Sequence, residues 1–135
     1  MFSAKEMREF NQYKGTLGEF VSRKREGRIT KAMYPHLLLE ICSDILGVPY
    51  EVCLSKKKTQ EAVRARYFSM YFLKALCPEK SLAKVGQLLG REHSLVIYGL
   101  KEIKRVIDPR FKDPGYDVYR RIQKEVEIRT GFYVA

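Results

Sequence analysis

The stretch from Ser81 to Pro109 constrains this chain most. Ser81 is followed by Leu82, Val85, Leu88 and Leu89, and Gly90 ends that run. A capping hydroxyl, apolar residues at helical spacing and a glycine free to turn left-handed predict one short helix. Val96, Leu100, Ile103 and Ile107 then recur at spacings of four, three and four until Pro109. They predict a second helix, beginning near His93 and stopped by a proline that cannot continue it. Two short helices about a glycine turn predict a helix-turn-helix.

The rest of the chain repeats the helical period, and strand-like alternation is scarce. Leu37, Leu38, Ile41, Ile45 and Leu46 form a stripe opened by Pro35 and closed by Gly47. Ala65, Phe68, Phe72 and Leu76 mark a longer core helix, and Tyr116, Tyr119, Ile122 and Val126 a last one before Gly131. Between Ile107 and Tyr116, DPRFKDPG reads as a loop. Ser3 with Glu6, and Thr16 with Glu19, fit capping boxes for helices over about 4–14 and 17–26. The expectation is an all-α helical bundle: an N-terminal helical extension (1–32), a helix-turn-helix domain (33–108) and a C-terminal loop and helix (109–135).

With 135 residues there is room for one such domain, and its net charge of +10 favours a polyanionic partner. The charge is uneven. Residues 33–55 sum to −3, whereas 56–77 sum to +5, through Lys56, Lys57, Lys58, Arg64, Arg66 and Lys74 against Glu61. Lys5, Glu6, Arg8 and Glu9 stand where a signal peptide would be apolar, and no run approaches the ~20 apolar residues of a membrane span. Cys42, Cys53 and Cys77 are odd in number, widely spaced and without C-x-x-C, so they read as buried thiols of a cytoplasmic protein. Two histidines, no H-E-x-x-H and no glycine-rich phosphate loop argue against a metal, a nucleotide cofactor or a small-molecule substrate.

SKKKTQEAVRARYFSMYFLKAL followed by SLAKVGQLLGREHSLVIYGLKEI resembles the C-terminal DNA-binding domain of the bacterial replication initiator DnaA, over roughly residues 35–107. That family has a basic loop, a long helix and a helix-turn-helix with the signature G-G-R-D-H-T-T-V; here the stretch reads Leu89-Gly90-Arg91-Glu92-His93-Ser94-Leu95-Val96. The resemblance implies double-stranded DNA as partner, a nucleoid-associated role in replication or regulation, and a free-standing relative without the initiator's ATPase. By position it puts Lys58, beside Lys56 and Lys57, where the family's loop sends an arginine into the minor groove. Arg66 and Lys74 fall at backbone-contacting positions, with Arg64 and Tyr67 beside them. Leu82 and Ala83 open the helix whose first amides meet a phosphate. Arg91 leads into Glu92, His93, Ser94 and Leu95 at the positions that read the major groove.

Four departures bear on which sequence is read. Lys58 replaces arginine, Tyr67 a frequent glutamine, Glu92 an aspartate and Leu95 a threonine; Leu95 can touch a thymine methyl but cannot hydrogen-bond a base. A nuclease using His93 and Glu92 is a poor alternative, because adjacent helix positions diverge. A protein-interaction module, dimerising through helices 4–26 and 116–129, is the other.

Overall fold

A computed structural model describes residues 30–134. The helices expected over 4–14 and 17–26, with their capping boxes, lie outside the described residues. Six α-helices follow: α1 (Tyr34–Leu46), α2 (Tyr50–Leu54), α3 (Gln60–Leu76), α4 (Leu82–Leu89), α5 (His93–Ile107) and α6 (Gly115–Thr130). No strand occurs among the described residues. The loop expected after Ile107 contains a single 3-10 turn, Pro109–Phe111.

The long helix α3 is the centre, packed between α1 and α5. Thr59 starts it, its hydroxyl accepting from the Ala62 amide at 3.3 Å. Phe68, Met70, Phe72 and Leu73 are then wholly buried. Truncating either phenylalanine to alanine would cost about 3–5 kcal/mol. On α1 the inward residues are Leu38, Leu39, Ile41 and Cys42, while Leu37, Ile45 and Leu46 are only partly covered. Burial pushes the Cys42 thiol up to about 12, so it is an inert apolar side chain at neutral pH. Tyr119, Ile122 and Val126 of α6 enter the same core, with the Tyr119 ring stacked 5.4 Å from Phe72.

The helix-turn-helix forms where the sequence places it. Ser81 Oγ accepts from the Lys84 amide at 3.1 Å, and Gly90 ends α4 at φ 68°. The Gly90 amide donates to the Gln87 carbonyl and the Arg91 amide to the Gly86 carbonyl, the paired closure of a left-handed helix end. The turn crosses so close that a Cβ on Gly86 would sit 2.6 Å from the Arg91 carbonyl oxygen.

The buried face of α5 differs from the expected stripe. Val96, Gly99, Ile103 and Val106 are buried, and Leu100 and Ile107 only partly so. The cause is Gly99: a Cβ there would meet the Tyr67 ring at 2.7 Å and Met70 Sδ at 3.0 Å. The missing side chain lets α5 roll toward α3, carrying Leu100 and Ile107 to the margin.

Candidate nucleic-acid interface

The basic run begins at the end of α2, where helix carbonyls have no intrahelical partner. Two arginines fill that need. Arg66, only 6% exposed, donates through Nε to the Cys53 carbonyl at 3.0 Å, and through one terminal nitrogen to Val52 (3.0 Å) and Ser55 (2.6 Å). Arg91, from the turn of the helix-turn-helix, donates to Cys53 at 2.9 Å and Ser55 at 2.7 Å. Burial, and then the like charge of Arg91, lower the Arg66 pKa. A buried cation is costly unless polar groups carry it, and here backbone carbonyls do so. Among the described residues neither guanidinium pairs with a carboxylate.

This double staple fixes the root of the lysine run against the start of α5. Lys56, Lys57 and Lys58 are exposed and make no ion pair among the described residues. Between the run and α5 lies an open cleft of about 720 Å³. Lys56 and Lys58 line one side, Ser94, Leu95 and Tyr98 the other, over a floor that includes Arg66, Tyr67 and Arg91. Glu92, the cap residue of α5, also lines the cleft and makes no side-chain capping bond. His93 and Ser94 are exposed on the first turn, and Leu95 is half-buried.

Several residues expected at this face are engaged elsewhere. Lys74 Nζ donates to the carbonyls of Pro78 (2.9 Å) and Lys80 (2.5 Å), tying the α3–α4 turn. Arg64 points to Asp113, 3.4 Å away, beside the far end of α5. Leu82 and Ala83 do open α4, half-buried and exposed respectively. Arg66 and Arg91 reach the cleft only as its floor, with most of their hydrogen bonds already spent. Tyr67 is buried, and its ring meets Tyr98 edge-on at 5.9 Å.

Sequence reasoning missed Val63, Gly90 and Tyr98 in the lining. For Tyr98 a signal existed: it lies four residues after Ser94 and three after Leu95, on one helical face.

The family model of the bacterial dnaA protein helix-turn-helix matches residues 35–103, more than half of the chain. The chain belongs to the DnaA helix-turn-helix family. The match runs from α1 into α5, covers every residue named in the cleft, and stops before Asp113 and α6. The chromosomal replication initiator protein DnaA of Chloroflexus aurantiacus is 30% identical over 110 residues, which are 79% of this chain and 22% of that protein. DnaA of Thermodesulfovibrio yellowstonii is 33% identical over 96 residues (70% and 20%), and that of Thermotoga maritima 33% over 89 (65% and 19%). The chain thus spans about a fifth of the length of the curated DnaA relatives it matches. Among the described residues no helix is long and apolar enough to cross a membrane, and no His, Cys, Asp and Glu cluster could hold a metal ion.

Proposed function

We propose that this protein binds double-stranded DNA sequence-specifically, with the first turn of α5 in the major groove and the lysine run at the adjacent minor groove. One observation carries the reading: two arginines lock an unpaired lysine run and the exposed start of α5 onto opposite walls of one cleft. Because membership of the DnaA helix-turn-helix family rests on the same residues, the proposed setting is DNA replication or its regulation.

Within this reading His93 and Ser94 exchange hydrogen bonds with base edges, Glu92 accepts from a cytosine amino group, and Leu95 packs on a thymine methyl. The first amides of α4, at Leu82 and Ala83, meet a phosphate. Lys56, Lys57 and Lys58 neutralise phosphates or enter the minor groove as cations. No catalytic step is proposed.

Selection of bound duplexes from a random pool, repeated at two salt concentrations, tests the reading. The expected outcome is an enriched motif with a thymine opposite Leu95. His93→Ala should flatten preference at one or two positions, by roughly 1–3 kcal/mol of discrimination, while nonspecific affinity persists. A pool that stays random at both salts would overturn sequence-specific binding.

A further inference from the structure

We infer that the Tyr98 hydroxyl, at the edge of the cleft between the lysine run and α5, donates a hydrogen bond to a phosphate of the strand that separates the two grooves. The inference rests on the duplex-binding reading above and adds a contact to it.

Adjacent major and minor grooves are separated by one backbone strand, so a protein that enters both must straddle that strand. Here the two entering elements, the lysine run and the first turn of α5, form the two walls of the cleft. Its chemistry fits a phosphodiester chain. Lys56 and Lys58 stand on one rim, and uncompensated guanidiniums lie in the floor. Glu92 also lines the cleft and would repel a phosphate beside it, against the cations Lys56, Lys58, Arg66 and Arg91 that line the same cleft.

Tyr98 is the residue that this seat explains. It is 60% exposed; Tyr116 and Tyr133 are exposed too, but Tyr98 alone of the three lines the cleft. Its hydroxyl has no hydrogen-bond partner among the described residues. The ring is nevertheless braced, edge-on to Tyr67, which is itself held in the space left by Gly99. A braced aromatic ring has little conformational freedom to lose on binding. It stands about 6 Å along the helix from Ser94, one turn beyond the residues that reach base edges. At that height the available partner is the flanking backbone.

The test is Tyr98→Phe, which keeps the ring and its contact with Tyr67 and removes only the hydroxyl. Binding is measured on the selected duplex, on scrambled duplexes, and on a series in which single phosphates are replaced by neutral methylphosphonates. Tyr98→Phe should weaken binding about tenfold on every sequence alike and leave the selected motif unchanged. At one phosphate, methylphosphonate should weaken the wild type strongly and Tyr98→Phe only slightly. Affinity equal to wild type, a loss confined to one base position, or equal sensitivity of both proteins at every phosphate would each overturn the inference. If the wild type bound no duplex at all, the duplex-binding reading would fall first, a result distinct from Tyr98→Phe matching a wild type that binds.

Discussion

The two ends of α5 treat positive charge in opposite ways. At the His93 end, Arg66 and Arg91 are held by carbonyls alone, and Lys56, Lys57 and Lys58 stand unpaired. At the Ile107 end, three arginines meet carboxylates: Arg64 and Arg105 both reach Asp113, Arg105 also pairs with Glu102 at 2.5 Å, and Arg110 with Asp108 at 2.7 Å, while Lys101, Lys104 and Lys112 are exposed. Carbonyls satisfy hydrogen bonds without cancelling charge, whereas carboxylates do both. A cation count along the sequence therefore overstates one end and understates the other. The Asp113 cluster is a fastening that joins α3 and α5 to the start of α6.

The largest expected effect comes from breaking the carbonyl-held end. Arg66→Ala removes one of the donors to the Val52 carbonyl, leaves the carbonyls of Cys53 and Ser55 dependent on Arg91 and opens a gap in a buried site, and should destabilise the protein by about 3 kcal/mol in denaturant unfolding. Loss of DNA binding should accompany loss of structure. A variant that unfolds at the wild-type midpoint but binds DNA poorly would instead make Arg66 a direct phosphate contact.

A smaller effect is expected at the neutralised end. The Gly115 amide first, then Arg64 and Arg105, hold the Asp113 carboxyl below its ordinary 3.8. A depressed aspartate contributes stability that is present above the unfolded value and is lost as pH falls through the folded one. Asp113→Asn should therefore cost about 1–2 kcal/mol at neutral pH, and its deficit should shrink below pH 3.8 as the wild-type carboxylate is protonated. Unfolding midpoints taken across that range check the sign. A deficit independent of pH would show that shape, not charge, matters at Asp113.

Much of the fold was legible because its punctuation is local. Ser81, Gly90, Pro35, Gly47 and Pro109 act within a turn or two of themselves, and each does in the structure what its chemistry dictates. The lysine run and the first turn of α5 were also readable, since both are contiguous in sequence. Less legible were features that depend on distant partners. The destination of Arg66 is set by carbonyls eleven to fourteen residues away, at the end of a five-residue helix too short for periodicity to reveal. Arg64, two residues earlier, is drawn to Asp113, 49 positions on. The roll of α5 follows from Gly99, which a search for apolar stripes passes over because glycine carries no side chain to count. Tyr98 escaped because its exposure depends on how α5 packs against α3, which its own spacing does not show.

The central claim is that the unpaired lysine run offers its charge to a polyanion while the carboxylate-paired Arg64 does not, and salt dependence measures that most directly. Duplex affinity should be titrated against salt for the wild type, for Arg64→Gln, and for the triple variant Lys56→Gln, Lys57→Gln, Lys58→Gln. Each lost phosphate contact should lower the logarithmic slope by about 0.9. The account predicts a slope lowered by about two to three in the triple variant and unchanged in Arg64→Gln. A triple variant with the wild-type slope, or an Arg64→Gln slope reduced by about one, would contradict it.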